Sequence, residues 1–204
     1  MIDELLEKSL RKVAHFYDER KVGDVGFLGF RRSTDLAVLF ACLKRLRLKK
    51  ILDPKASLFL DLGCADGRVN VLFSYLVKIS VGIELDEWTL EDYGPLKTHL
   101  EKELKQEGLL RPPDNIYLFH GDSTDEMVHQ CVAEKTGVRF EDVDFFYTYL
   151  VMHEEFAELI SRKAKTGSVY MVYGLSKIIP SYQGLRHLRH ISPMEGILAL
   201  YQKE

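Results

Sequence analysis

The sequence predicts a doubly wound α/β fold in a single domain, and three observations carry that prediction. Its 204 residues match the usual size of one domain, and a hydrophobic content of 46% supplies a sizeable core. From residue 56 onward, short apolar runs alternate with amphipathic segments, which is typical of a parallel sheet with crossover helices. A turn of small residues follows the first of these runs, at the point where open α/β sheets bind ligands.

Residues 1–33 are predicted to form an N-terminal helix and a loop outside the core, which comprises residues 34–204. Apolar residues from Ile2 to Tyr17 recur at helical spacing. The stretch from Lys21 to Phe30 contains three glycines and no periodicity, so it is expected to be a loop. A second helix should follow, capped by Ser33 or Thr34, and its apolar character predicts a position between the first helix and the sheet.

The remaining elements follow in order along the core. Ser123 and Glu126 match a capping box, and Gly94-Pro95 is expected to divide the second crossover into two helical pieces. The tail should close as a hairpin with a turn from Pro193 to Gly196. Strands are predicted at 57–62, 79–84, 116–120, 143–149 and 168–173, with helices beginning near Gly67, Asp86, Ser123 and His153.

Composition narrows the classes of partner. The net charge is only −3 and acids and bases are mixed, which argues against a nucleic-acid surface. Cys42, Cys64 and Cys131 form no paired pattern, so no disulfide framework or metal site is indicated, and a reducing, cytoplasmic setting is expected. The amino terminus lacks the features of a signal peptide, and no apolar run approaches the ~20 residues of a membrane span.

The turn after the first predicted strand is the strongest signal in the chain. Small residues at Gly63, Ala65 and Gly67 would let a ligand approach the backbone closely. Glu84 ends the next strand 23 positions beyond Asp61, close to the ~20-residue spacing of a ribose-binding carboxylate. Loop and acid together predict a site for an adenosine-containing ligand.

The same turn argues against the common phosphate-bearing ligands. Its small residues do not follow the G-x-G-x-x-G spacing of dinucleotide sites, and no G-x-x-x-x-G-K-[ST] occurs in the chain. Asp61 and Asp66 would repel a pyrophosphate but suit a ligand that carries an ammonium and a sulfonium. An adenosine-using dehydrogenase is therefore the weaker interpretation.

The segment from Asp61 to Arg68, together with Glu84, resembles the first two motifs of class I S-adenosylmethionine-dependent methyltransferases. The resemblance covers about residues 34–204 and implies a mainly parallel, seven-stranded sheet with one antiparallel strand and helices on both faces. It also implies S-adenosyl-L-methionine as cofactor, with the loop at the methionine moiety, Glu84 at the ribose and Asp122 near the adenine. For Asp122, a helix cap is an equally good explanation. The cofactor contacts expected on this basis are Asp61, Gly63, Cys64, Ala65, Asp66, Gly67, Glu84, Leu85, Asp122, Ser123 and Tyr147.

The predicted strand at 143–149 should present the methyl acceptor. It lacks the Asn-Pro-Pro-Tyr or Asp-Pro-Pro-Tyr segment of enzymes that methylate planar amino groups, and no cysteine ends it. Alternation places Tyr147 and Tyr149 on one face and Phe146 on the other. The two tyrosines either pack in the core or bracket an amine, because aromatic faces attract cations.

This strand is similar to that of small single-domain protein-lysine methyltransferases, which implies a protein lysine amine as acceptor. Those proteins carry a Thr-Pro element before the helix that precedes the first strand, and here Thr34 occupies that place without the proline. The alternatives are a small-molecule O-, N- or S-methyltransferase, with His153 or His120 as general base, and a non-catalytic adenosyl-binding module. Candidate catalytic residues are Tyr147, Tyr149 and His153. The acceptor, protein or small molecule, and the oligomeric state are left open.

Overall fold

A computed structural model describes residues 2–26, 29–31, 33–175, 179–192 and 197–204 of the chain. The helices are α1 Glu4–Asp18, α2 Leu36–Leu48, α3 Arg68–Ser74, α4 Glu87–Glu91, α5 Tyr93–Gln106, α6 Glu126–Thr136 and α7 His153–Lys163. The strands are β1 Val22–Gly26, β2 Gly29–Arg31, β3 Leu58–Asp61, β4 Ile79–Glu84, β5 Ile116–His120, β6 Phe145–Tyr149, β7 Val169–Tyr173, β8 Leu185–His187 and β9 Leu198–Lys203.

A seven-stranded sheet in the order β5-β4-β3-β6-β7-β9-β8 forms the centre of the molecule. The strands β5, β4, β3, β6 and β7 are parallel, and β9 runs antiparallel to both β7 and β8. The chain leaves β3 towards one edge and then returns to the other side of β3 at β6. This reversal creates a topological switch point between β3 and β6, where open α/β sheets form a crevice for ligands. The predicted fold class is confirmed.

Helices cover both faces of the sheet, as expected for a doubly wound fold. One hydrophobic cluster joins α1, α2, α3 and α5 to one face, and a second cluster joins α6 and α7 to the other. Phe145 and Tyr147 belong to the first cluster and Phe146 to the second, because successive strand side chains point to opposite faces. The tyrosines of β6 therefore face the side on which α2 lies.

The second helix begins later than the sequence suggested. Asp35 is the cap, and its carboxylate accepts a hydrogen bond from the Val38 amide at 2.9 Å, whereas Ser33 or Thr34 was expected in this role. The Thr34 hydroxyl is engaged with the Tyr147 hydroxyl, so it is not available to cap the helix. The expected packing of α2 is confirmed, since its apolar side chains join those of α1 in one cluster.

Two further helix boundaries differ from prediction. Asp125, and not Ser123, caps α6 by accepting a hydrogen bond from the Met127 amide. The break between α4 and α5 falls at Asp92 instead of Gly94-Pro95. Pro95 lies in the first turn of α5, where its missing N–H leaves no intrahelical hydrogen bond unmade.

The segment between α1 and α2 is not the irregular loop that was expected. The strands β1 and β2 pair antiparallel, and β1 lies against α4. The Asp18 carboxylate at the end of α1 accepts hydrogen bonds from the amides of Leu36 and Ala37 at 2.8 and 3.1 Å, which ties α1 to the start of α2. The three glycines of this stretch gave no strand signal in the sequence, and the β1–β2 pair depends on tertiary contacts such as that of β1 with α4.

The chain ends in the predicted antiparallel pair, formed by β8 and β9. The predicted turn from Pro193 to Gly196 lies outside the described residues. Cys42, Cys64 and Cys131 are free thiols. Within the described ranges, no helix combines the length and the apolar character needed to cross a bilayer.

Candidate functional site

A cavity of about 540 Å³ opens at the carboxyl ends of β3 and β6, directly at the switch point of the sheet. This volume falls within the range of about 300–1,000 Å³ that small-molecule sites occupy. The residues that line it come from the loop after β3, the ends of β4, β5 and β6, the start of α7 and the segment before α2. Of the predicted cofactor contacts, the lining includes Asp61, Gly63, Cys64, Ala65, Glu84, Leu85, Asp122, Ser123 and Tyr147.

The backbone amides of the loop after β3 are used within the protein. Those of Leu62 and Cys64 donate to the carbonyls of Tyr147 and Ile83, on the two neighbouring strands. The Gly63 amide donates to the Asp61 carboxylate at 3.3 Å, and the Ala65 amide donates to Glu84 Oε2 at 2.8 Å. A phosphate-binding loop instead directs such amides at its ligand.

Glycines near the loop serve different purposes. A Cβ on Gly63 would meet no atom within 4 Å, which leaves open space beside the cavity lining. A Cβ on Gly82 of β4 would approach Cys64 Cβ to 2.7 Å, so this glycine lets the loop cross the strand. Gly67 has a φ of +74° and packs against Tyr93, with no part in the lining. The prediction that Gly67 contacts a ligand is therefore not supported, because close packing explains it.

Asp66 also lies outside the lining, contrary to expectation. Its carboxylate forms an ion pair with Arg68 at 2.8 Å, and both side chains are only 3% exposed. The Arg68 guanidinium also donates to the carbonyl oxygens of Tyr17 and Arg20, at the end of α1. Two residues of the loop thus fix the N-terminal segment, and the charge of Asp66 is neutralised.

Asp61 remains as a buried acid in the cavity wall and is 1% exposed. Burial raises its pKa well above the ordinary value, and the hydrogen bond from the Gly63 amide only partly offsets this rise. The nearby carboxylates of Glu84 and Asp66 raise the pKa of Asp61 further. A cation in the cavity would favour the ionised form of Asp61.

Glu84 ends β4 and holds the backbone on both sides of the cavity wall. Its Oε2 accepts from the Ala65 amide, and its Oε1 accepts from the Asp86 amide at 2.9 Å. Since a carboxylate offers about four acceptor sites, it can also accept hydrogen bonds from a ligand. The next residue, Leu85, lines the cavity, and His120 Nε2 contacts its carbonyl oxygen at 3.1 Å.

Asp122 and Ser123 form the part of the wall that follows β5. Asp122 Oδ1 accepts hydrogen bonds from the amide and the hydroxyl of Thr124, both at 2.7 Å, and these bonds lower the pKa of Asp122. Both contacts use Oδ1, so a second carboxylate oxygen remains for a ligand. The buried His129 bonds the Ser123 carbonyl oxygen at 2.9 Å and fixes this turn.

Tyr147 and Tyr149 line the cavity from β6. Tyr147 is 2% exposed, and its hydroxyl shares a hydrogen bond with that of Thr34. Burial raises the pKa of Tyr147 well above the ordinary value, so its hydroxyl is neutral. The ring of Tyr149 lies 5.5 Å from that of Tyr173, and the Tyr173 hydroxyl accepts from the Asp35 amide at 3.3 Å.

The predicted histidine candidates do not reach the cavity lining. His153 Nδ1 bonds the Tyr182 hydroxyl at 2.7 Å, within an aromatic group behind the first turn of α7. His120 is occupied by the Leu85 carbonyl. A catalytic role for His153 is therefore not supported. Among the residues that the structure describes, no group of three or more potential metal ligands occurs.

Several lining residues were not predicted from the sequence. Val22 of β1 and Thr34 belong to the segment between α1 and α2, and Thr148, Val151 and Met152 extend the wall beyond the tyrosines. The position of Thr34 before the second helix was the one available signal for its role. Val22 reaches the cavity lining because it lies in the β1–β2 pair. This pair was not predicted, because the glycines of that stretch gave no strand pattern.

Comparison with known proteins identifies the fold. The amino-acid sequence matches neither a protein-family profile nor a curated protein. Among solved structures, an RNA methyltransferase from Salinibacter ruber in complex with S-adenosyl-L-homocysteine is 16% identical, with a TM-score of 0.50 over 85% of this chain and 92% of that chain. The tRNA (m1A58) methyltransferase TrmI from Aquifex aeolicus is 12% identical, with a TM-score of 0.52 over 96% of this chain and 76% of that one. The chain has the Rossmann-like fold of the class I S-adenosylmethionine-dependent methyltransferases.

Proposed function

We propose that the cavity binds S-adenosyl-L-methionine and that the protein is a methyltransferase. The observation that carries this proposal is the convergence of the Gly63–Ala65 loop, Glu84 and Asp122 on one cavity at the switch point. In the proposed site the loop holds the methionine moiety, Glu84 accepts from the ribose hydroxyls, and Asp122 and Ser123 lie near the adenine. Leu85 and Cys64 supply apolar contact area beside the nucleoside.

The chemistry of the cavity wall suits this cofactor better than a dinucleotide. Asp61, Glu84 and Asp122 bring carboxylates to the wall, and these favour a ligand that carries positive charge. The amides of Leu62, Gly63, Cys64 and Ala65 already donate within the protein, so they do not form a cradle for a pyrophosphate. Arg68 is likewise engaged by Asp66 and by backbone carbonyls.

Methyl transfer requires mainly that the protein align a neutral nucleophile with the cofactor. When bound, S-adenosylmethionine supplies an electrophilic methyl group. Tyr147 and Tyr149 form the wall next to the loop, and their rings can attract and orient an amine that enters in its protonated form, through cation–π attraction. The same apolar surroundings lower the pKa of an amine, which favours the neutral, nucleophilic form. A protein lysine amine is therefore the acceptor that we propose.

Isothermal titration with S-adenosylhomocysteine tests the cofactor site. We expect saturable heat at micromolar protein and no heat with NADH. Glu84→Gln should weaken binding about 10–100-fold, the effect of losing one charge-assisted hydrogen bond. The matched variant Glu91→Gln changes an exposed acid on α4 and should bind like the unmodified chain. Heat with NADH and none with S-adenosylhomocysteine would refute the proposal.

Transfer itself is tested by incubating the protein with methyl-labelled cofactor and a cell lysate. A labelled protein band supports a protein acceptor, and a labelled extractable metabolite identifies a small-molecule methyltransferase instead. If S-adenosylhomocysteine binds and neither product appears, the chain is an adenosyl-binding module without transferase activity. Acid hydrolysis of a labelled band should release methylated lysine.

A further inference from the structure

The turn that follows β6 exposes three consecutive apolar side chains at the mouth of the cavity. Leu150, Val151 and Met152 are 39%, 66% and 42% exposed. Val151 and Met152 also line the cavity, so their surface extends from the proposed reaction site into solvent. Contiguous exposed apolar groups next to a ligand site commonly mark an interaction surface.

The backbone holds these side chains in place. Leu150 and Met152 have φ values of 45° and 49°, in the left-handed region that residues other than glycine rarely adopt. The hydroxyl of Thr148, which is 1% exposed, donates to the Val151 carbonyl at 3.1 Å, and the Val151 amide donates to the Tyr149 carbonyl. The Met152 carbonyl accepts the first hydrogen bond of α7. The turn is therefore fixed at both ends with its apolar groups directed away from the core.

Acidic residues continue this surface along α7. Glu154, Glu155 and Glu158 are exposed, and their spacing of three and four residues brings them close together on one side of the helix. None of the three forms an ion pair with a basic side chain in the described part of the chain. Some surface acids elsewhere are paired, as Glu126 is with Lys163 and Glu7 with Lys44. A row of mutually repelling carboxylates favours a cationic partner.

We propose that the acceptor-docking surface, formed by Leu150, Val151, Met152, Glu154, Glu155 and Glu158, binds a protein segment in which apolar residues flank lysines. This inference rests on the proposed methyltransferase function. The surface reaches beyond the cavity along α7, so a small molecule enclosed in the cavity would leave its acidic part uncovered. Nucleic acid would bring phosphates against these carboxylates, which is electrostatically unfavourable. A lysine-bearing segment satisfies both the apolar and the acidic part.

The experiment measures docking separately from transfer. A fluorescent peptide of alternating leucine and lysine is titrated with the full chain at saturating S-adenosylhomocysteine, and binding is followed by anisotropy. We expect binding that weakens with added salt, no binding of the matched leucine–glutamate peptide, and no binding of a single-stranded RNA oligonucleotide. RNA binding without lysine-peptide binding would overturn the proposal in favour of a nucleic-acid partner.

Two matched pairs of variants locate the contact. Val151→Ser with Met152→Ser should weaken peptide binding roughly tenfold, since both lose apolar contact area. The control pair is Leu48→Ser with Leu5→Ser, whose side chains lie elsewhere on the molecule and are similarly exposed, at 68% and 43%. This pair should change peptide affinity less than about twofold. The triple change of Glu154, Glu155 and Glu158 to Gln should weaken it roughly tenfold and flatten its salt dependence. The control triple change of Glu4, Glu107 and Glu134 to Gln removes the same charge elsewhere and should leave peptide affinity and its salt dependence unchanged.

The two proposals fail in different ways. If S-adenosylhomocysteine gives no heat with the unmodified chain, the proposed function fails. If it binds, and the glutamine triple variant retains both cofactor affinity and peptide affinity, only the docking surface is refuted. Loss of peptide affinity with unchanged cofactor affinity in that variant supports the acceptor-docking surface.

Discussion

At the scale of single residues, Asp61 illustrates a conflict between stability and the proposed function. Its carboxyl is buried beside two other acids, and its pKa in the folded chain lies well above the value of 3.8 that serves as its unfolded reference. A raised folded-state pKa gives stability that is present below about pH 3.8 and is lost as the pH rises through the folded pKa. At neutral pH the buried carboxyl therefore lowers the stability of the ligand-free chain, and a cationic cofactor would relieve this cost.

Asp61→Asn should remove that ionisation cost and keep the acceptor for the Gly63 amide. At neutral pH we expect the Tm of the ligand-free chain to rise by about 2–4 °C, the shift that about 1 kcal/mol produces at this chain length. S-adenosylmethionine affinity should fall at the same time. Differential scanning calorimetry between pH 4 and 8 measures the first effect and titration the second. Asp114→Asn, at an exposed side chain, is the control, and an equal Tm change at both ends of the pH range would contradict the argument.

Tyr147 and Thr34 should behave as one unit. Tyr147→Phe or Thr34→Val alone leaves a buried hydroxyl without its described partner and should cost about 1–3 kcal/mol. The double variant removes both hydroxyls and should cost less than the sum of the two, because neither polar group is left unpaired. Urea unfolding of the four proteins gives the coupling energy, and strict additivity would show that the contact is unimportant.

The tyrosines also bear on transfer. Tyr149→Phe leaves the ring of Tyr149 against Tyr173 and removes only the hydroxyl. If the tyrosines orient the acceptor, Tyr147→Phe and Tyr149→Phe should lower the rate of methyl transfer more than the affinity for S-adenosylhomocysteine. Equal losses in both measurements would assign the two residues to the fold.

At the scale of elements, Arg68 joins the loop after β3 to α1. Its guanidinium is 3% exposed and contacts Asp66 and the carbonyls of Tyr17 and Arg20. Arg68→Met leaves the Asp66 carboxylate buried and unpaired, so unfolding should require about 3–5 kcal/mol less free energy. Arg139→Met breaks an exposed pair with Asp142 and should cost less than about 1 kcal/mol. Equal effects of the two changes in chemical denaturation would contradict the structural role of Arg68.

The contrast between predicted and observed elements has a physical pattern. Strands β3 to β7 and the position of Glu84 followed from the sequence, because short apolar runs and a strand-end acid are local signals. The predicted caps of α2 and α6 were wrong, since Asp35 and Asp125 occupy these positions. Thr34 is engaged by Tyr147, 113 residues away, and Ser123 lies within the turn that Asp122 forms with Thr124.

The site residues show the same contrast between local sequence signals and contacts distant in sequence. Gly63, Ala65, Glu84 and Asp122 were predicted from the motifs and Tyr147 from the alternation of its strand, and these five residues line the cavity. Asp66 was predicted as a cofactor contact from the loop motif, but in the structure its carboxylate pairs with Arg68. Arg68 is in turn held by the end of α1, a contact that no motif reveals. The contribution of Val22 depends on the β1–β2 pair, which is stabilised by contacts distant in sequence.

At the scale of the whole molecule, the cavity lies where two hydrophobic clusters and the N-terminal segment meet. Tyr147 belongs to the cluster on the α2 face, and Phe156 of α7 belongs to the cluster on the other. Both residues line the cavity, as does Val22 from the hairpin before α2. The wall is therefore complete only when both faces of the sheet and the N-terminal segment are packed.

This dependence predicts that the N-terminal helix is required for folding. In α1, Leu10, Val13, Phe16 and Tyr17 are at most 2% exposed and pack in the cluster shared with α2 and α3. Each fully buried apolar side chain contributes about 1.5–3 kcal/mol, so four of them match a large part of a total stability of about 5–15 kcal/mol. A chain that lacks residues 2–21 should show no cooperative thermal transition by circular dichroism and should not bind S-adenosylhomocysteine. The control variant Lys8→Ala, at an exposed position of the same helix, should melt like the unmodified chain. A truncated chain that still melts cooperatively and binds the ligand would show that α1 covers a core already stable without it.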